Sequence, residues 1–306
     1  MKILIMGGSG RLSGCVTRTA LEGGHEVWTV TRKNKGLPEG VHPIIVDRNQ
    51  EKAFEEQIVA AAVKWDAVLD CICMNAAHAR QDIQVLGKYA SRVVGISTDS
   101  VYDPEHKQIP QSEQSDYYLM GDDYAGNKRK MELEFLKSNG SLHWTLFRTG
   151  HIYGPGFEIG CYPEHFRSPE LLEHIRADKP LRLAGGGHLL THPTYVQDLA
   201  DCMLESIENE KTYNEIFCIG GPKAIENRYY YEVIGQILGH PVTIEAISDV
   251  RTYAKEHPEY AGALCERSYT LEKLKKTGMK LPSTPLEEGL LKHVVWLEQR
   301  NKINNQ

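Results

Sequence analysis

Near its start the chain reads Lys2-Ile-Leu-Ile-Met-Gly-Gly-Ser-Gly-Arg-Leu-Ser-Gly14. A short apolar run, Ile3–Met6, gives way to glycines, and a helical pattern follows over Leu12–Glu22. This order predicts a strand, a tight turn and a helix. Glycines allow the turn and let a pyrophosphate approach the backbone, while the helix start supplies free N–H groups and a positive dipole. An ordinary glycine turn would read the same in isolation, so the position after an N-terminal strand carries the argument. On this reading Gly7, Ser9, Gly10, Arg11 and Leu12 are the candidate dinucleotide contacts. The spacing departs from the usual one at its last glycine: Ser13 stands there, with Gly14 one step later. Serine is small enough to keep helix and strand close.

Outward from this turn, strands and helices alternate. Strands are predicted at Glu26–Val30, Pro43–Val46, Ala67–Ile72, Arg92–Ile96 and Trp144–Phe147. Helices are predicted near 51–63, 77–89 and 123–138. Such alternation implies a doubly wound, parallel α/β sheet of the Rossmann type with right-handed crossovers. After Gly150 the texture changes, with Pro155, Pro163, Pro169, Pro180 and Gly185–Gly187 breaking the chain into short pieces. Helices are expected at Val196–Glu208, Tyr229–Leu238 and Leu286–Glu298, and a strand at Glu215–Ile219. The expected division is a dinucleotide-binding domain of residues 1–150 plus roughly 191–222. Residues 151–190 and 223–306 would form a smaller substrate-binding lobe.

Composition narrows the function. The 306 residues are 41% hydrophobic and 25% charged, which argues for a globular chain. The net charge of -6 speaks against a surface built for nucleic acid or anionic lipid. No apolar run approaches the ~18–20 residues that span a bilayer, and the N-terminus lacks signal-peptide features. The seven cysteines are odd in number and include no Cys-x-x-Cys pair, so free thiols in a cytoplasmic protein are expected. No histidine pair has zinc spacing, and no metal site is expected.

The end of the second strand bears on the choice of nucleotide. A carboxylate there would bind the adenosine ribose of NAD, but the chain has Thr31-Arg32-Lys33. Arg32 suits a 2′-phosphate, which favours NADP over NAD; a solvated basic loop is the alternative. Asp47, after the third strand, is a candidate adenine contact or a loop cap.

Tyr124-Ala-Gly-Asn-Lys128 puts a phenol and an ammonium on one helix face. The ammonium would lower the phenol pKa, so that Tyr124 could exchange a proton with a substrate oxygen while hydride moves. Among 15 tyrosines about one such spacing arises by chance. Indeed Tyr269-Thr-Leu-Glu-Lys273 repeats it, late in the chain and with no assignable sheet edge. Tyr269 is therefore read as the decoy. Ser97-Thr98 ends the fifth strand, at the edge where such sheets bind ligands, and Thr98 could hold the reacting oxygen.

Together these segments resemble an extended short-chain dehydrogenase/reductase of the NAD(P)-dependent epimerase/dehydratase group. The resemblance rests on the glycine loop, Ser97-Thr-Asp-Ser-Val-Tyr102, Tyr124 with Lys128 and Arg148-Thr-Gly-His-Ile-Tyr-Gly-Pro155. His192-Pro-Thr-Tyr-Val-Gln-Asp-Leu-Ala200 and Glu215-Ile-Phe-Cys-Ile-Gly-Gly221 complete it. It implies a Thr98/Tyr124/Lys128 triad, Lys128 on the nicotinamide ribose, His151 near the nicotinamide, a small-molecule substrate and a homodimer. Nucleotide-sugar members usually carry Asn where His151 stands and Arg where Thr191 stands, which weakens the nucleotide-sugar reading. Ser100 replaces the Glu of a dehydratase pair beside Asp99. The displaced glycine and Arg32 are also similar to an atypical branch related to plant chloroplast RNA-binding proteins. That likeness implies, as an alternative, a nucleotide-binding scaffold or RNA-associated protein with little turnover.

Overall fold

The computed structural model describes residues 1–140 and 142–304. Six strands follow in chain order: β1 (Lys2–Met6), β2 (Glu26–Thr31), β3 (His42–Ile45), β4 (Ala67–Asp70), β5 (Arg92–Thr98) and β6 (His143–Thr149). A seventh strand, Glu215–Ile219, joins β6, so the chain returns to the sheet after the irregular segment. The spatial order is seventh–β6–β5–β4–β1–β2–β3, with every pair parallel. The direction of winding reverses between β1 and β4, and the crevice at the carboxyl ends of these strands is where such sheets bind ligands.

Alternation along each strand builds two cores. Ile3, Ile5, Val27, Leu69 and Phe147 face α1 (Arg11–Glu22) and the helix Val196–Glu205. Leu4, Met6, Val30, Val68 and Leu146 face α2 (Glu51–Ala61), α3 (Ala76–Gln84) and α4 (Tyr124–Lys137). A sheet covered on both faces reads as continuous apolar runs, which is why these strands were visible in the sequence. The helix predicted to reach Tyr89 stops at Gln84, and one 3-10 turn over Leu86–Lys88 replaces the rest. Gly87 lowers helical propensity there.

A third core joins Ile159, Leu172, Leu183, Tyr231, Ile234 and Leu290. It ties residues 159–183 to the helices Asn227–Leu238 and Leu286–Asn304. A short parallel pair, Leu181–Ala184 with Ile244–Ile247, edges this region. Among the described residues no helix is long and apolar enough to cross a membrane. All seven cysteines are free.

Candidate active site

Two glycines at the end of β1 have backbones that side chains rarely adopt: Gly7 at φ 116° and Gly8 at φ 60°. A Cβ on Gly8 would lie 2.6 Å from Thr29 Cβ, so the loop lies directly on β2. Ser13 does more than fit in place of the missing glycine. Its hydroxyl accepts the Gly10 N–H at 2.9 Å and caps the first turn of α1. Beside this loop is a cleft of about 350 Å³ whose walls bring together Gly7, Ser9, Gly10, Arg32 and Asp47. Arg11 and Leu12 are not in the walls; Arg11 is exposed on α1 and Leu12 is buried in the core. A bare-backbone cradle, a helix start and a cleft at the switch point fit the dinucleotide that the sequence suggests.

Arg32 is exposed at the cleft rim. The Asp47 carboxylate accepts the backbone and side-chain N–H groups of Asn49, both at 2.9 Å. The Asn49 backbone N–H, with help from Arg32 and His78, holds it below the usual carboxylate range. Behind the cleft, Arg48 is buried between Asp70 (2.5 Å) and Asp82 (2.8 Å).

The Asp123 side chain caps α4 by accepting the Gly126 N–H at 2.9 Å, which sets where Tyr124 starts the helix. Position 126 must be glycine, because a Cβ would lie 2.1 Å from the Gly121 carbonyl oxygen. Thr98, the last residue of β5, lies beside the Tyr124 phenol and favours its ionised form. Half of Tyr124 is exposed (53%), but its hydroxyl end is shielded. That shielding raises the phenol pKa; Asp99 adds to it, while Thr98 and Arg167 oppose it. The expectation that Lys128 acts directly on the phenol is not met here. Its buried ammonium donates to the Cys73 carbonyl at 2.7 Å and the Ile96 carbonyl at 2.5 Å, at the sheet's carboxyl edge. Burial lowers its pKa.

Sequence reasoning missed the clasp that holds α4 in place. Arg148 donates to both Glu132 oxygens, at 2.8 and 2.7 Å, and Ser97 donates to the same carboxylate at 2.6 Å. Burial pushes the Glu132 pKa up, but Arg148 and Ser97 outweigh it and hold it low. A faint signal existed, since Glu132 follows Tyr124 and Lys128 at four-residue steps.

Tyr269, read as the decoy with no assignable sheet edge, does lie at one, beside the end of β5. Tyr269 is buried, and its hydroxyl donates to the Asp99 carboxylate, next to Thr98. Arg267 Nη1 lies 3.3 Å from the same carboxylate. Burial opposes ionisation of Asp99, but Arg267 leads the groups that hold its pKa below the usual range. The tyrosine ring stacks on His192 at 5.6 Å. His192 accepts the Tyr269 N–H at 3.1 Å through Nδ1 and meets the Gly221 carbonyl at 2.9 Å through Nε2. Gln111 brackets the segment by bonding Ser268 and Thr270. Lys273 turns away to Glu215 and the Ile216 carbonyl, so Tyr269 and Lys273 do not act as a pair.

His151 follows β6 and is buried against the edges of Phe166 and Tyr230. Burial, with Arg167 nearby, lowers its pKa to about 3 and keeps the imidazole neutral. Thr191 lines the same cavity.

This geometry has relatives. A chloroplast stem-loop binding protein of 41 kDa b from Arabidopsis thaliana is 26% identical over 237 residues, covering 73% of this chain. The match spans only 60% of that protein's length. Among solved structures, Pal from Bacillus thuringiensis superposes with a TM-score of 0.79 at 21% identity, covering 98% of this chain and 100% of Pal. A dTDP-glucose 4,6-dehydratase from Bacillus anthracis, in complex with NAD, gives 0.77 at 19% identity, covering 99% and 98%. At such identities the structural likeness is one of fold. The profile of the NAD dependent epimerase/dehydratase family matches residues 3–220, more than half of the sequence, and the chain belongs to that family.

Proposed function

We propose that the protein moves hydride between a nicotinamide cofactor and a hydroxyl or carbonyl carbon of a small sugar-like or carbonyl substrate. Tyr124 serves as the acid and base. The observation that carries this reading is the placement of Thr98 beside the Tyr124 phenol at the carboxyl end of β5, with Lys128 anchored at the same sheet edge. When bound, the nicotinamide supplies the site that accepts or donates hydride. Thr98 holds the reacting oxygen, and Tyr124 takes or returns its proton. Lys128 already has two carbonyls as partners, so its role is to orient the cofactor ribose more than to tune the phenol. Arg32 at the cleft rim favours NADP over NAD. Residues 151–190 and 223–306 act as the substrate lobe, and residues 1–150 with 191–222 as the dinucleotide domain. The resemblance also suggests a homodimer.

Family membership keeps a nucleotide-sugar epimerase or dehydratase as the alternative. Thr191 counts against it, because it offers a hydroxyl where a diphosphate needs charge. The likeness to the stem-loop binding protein supports a second reading, an RNA-associated protein with little turnover. The deciding experiment screens carbonyls, polyols, sugars and nucleotide sugars for a change in nicotinamide absorbance, with Tyr124→Phe as the blank. Turnover lost in that variant supports the enzyme. No turnover with any class, together with salt-dependent binding of a stem-loop RNA, favours the second reading.

A further inference from the structure

His151, Asn227 and Arg267 wall a small, partly open cavity of about 30 Å³. It has room for one or two water-sized groups. Three of the side chains that wall it are short of hydrogen bonds. Neither ring nitrogen of His151 has a partner. Asn227 donates its amide N–H to the Tyr162 carbonyl at 3.0 Å, but its Oδ1 accepts nothing. Arg267 spends Nη1 on Asp99 and Nη2 on the Gly262 carbonyl, and its Nε has no acceptor. Unpaired buried polar atoms are rare, and several around one void point to a missing partner.

Their chemistry describes that partner. Asn227 Oδ1 can only accept, and Arg267 Nε–H can only donate. The neutral imidazole does one of each. Hydroxyl groups, which donate and accept, satisfy this mixed set. Phosphate and carboxylate only accept, and they would leave Asn227 Oδ1 and one imidazole nitrogen unpaired. Resting on the hydride-transfer reading above, we propose that the His151–Asn227–Arg267 cavity selects the uncharged, hydroxylated end of a small substrate. That end is one or two hydroxyl-bearing carbons rather than a phosphorylated, carboxylated or nucleotide-linked group.

The test measures binding to the cofactor-loaded protein by saturation-transfer NMR and calorimetry. Neutral probes are dihydroxyacetone, erythrulose and D-xylose; charged probes are dihydroxyacetone phosphate, D-glycerate and UDP-glucose. The neutral compounds are expected to bind more tightly than their charged counterparts. Asn227→Leu and His151→Phe should each weaken that binding about tenfold, the loss of roughly one good hydrogen bond. Using two variants keeps the test open if one fails to fold. Tighter binding of a charged probe, no binding of any neutral probe at tens of millimolar, or unchanged affinity in both variants overturns the proposal. Nicotinamide absorbance is read in parallel. Neutral binding without hydride exchange would sink the enzyme reading and leave the cavity assignment standing. Exchange with a charged substrate that binds more tightly would do the reverse.

Discussion

Tyr124→Phe keeps the ring and its packing but removes the proton that the proposed catalysis needs. The expected loss is ~10²–10⁴-fold in rate, with cofactor affinity nearly unchanged, by steady-state kinetics and fluorescence titration. Because the ring is half exposed, stability should stay within about 0.5 kcal/mol. Tyr269→Phe behaves differently. It removes a buried bond to an ionised carboxylate, and denaturant unfolding should show a loss of about 1.5–3 kcal/mol. At the cleft rim, Arg32→Ala should reduce the preference for NADPH over NADH by roughly 10–150-fold, read by titration of both cofactors. Equal affinities in the unmutated protein would remove that role from Arg32. Tyr124 and Lys128 were legible in the sequence because one helix face joins residues four apart. Tyr269 was not, because it meets Asp99 at a sequence separation of 170 and no local pattern marks such a contact.

At the scale of elements, two buried clasps hold the sheet and its helices in register. Arg148 and Glu132 bind β6 to α4; Arg48 joins the end of β3 to Asp70 on β4 and Asp82 on α3. The two carboxylates of the second clasp cannot both ionise cheaply. Arg48 keeps Asp70 charged, while burial and the Asp70 charge push the Asp82 pKa well up. Asp82 is therefore the more readily protonated of the two, and Asn is its near isostere. Asp82→Asn should change stability by less than about 1 kcal/mol. Asp70→Asn breaks the ion pair and should cost about 3–5 kcal/mol, measured by the same denaturant unfolding. The strands and helices themselves were plain from their periodicity, since buried parallel strands read as unbroken apolar runs. The clasps were not. A lone Arg or Glu in a sequence looks like surface charge, and only the pairing shows otherwise.

At the scale of the whole molecule, pH acts through opposing groups. Asp99 and Glu132 have lowered pKa values in the folded state. Their contributions are complete above the unfolded carboxylate range near 4 and fade as pH falls through the lower folded values. Asp82, with a raised pKa, has the opposite sign: it costs stability as pH rises above that range, and the cost is complete and constant once its folded value is passed. Net stability should therefore fall steeply only below about pH 4, and Glu132→Gln should flatten that fall in an acid titration followed by circular dichroism. No change in the acid limb would remove Glu132 from this account. The change to short, irregular pieces after Gly150 was foreseeable from its Pro and Gly residues. That the last part of the chain would reach back to Asp99 was not.

That reach has a consequence during synthesis. The walls of the dinucleotide cleft come from residues no later than His78, whereas Asp99 waits for Arg267 and Tyr269. Ribosomes add ~5–20 residues per second, so roughly 10–30 s separate the carboxylate from its partners. Through that interval every residue of the cleft wall has been made while Asp99 still lacks the groups that cover it.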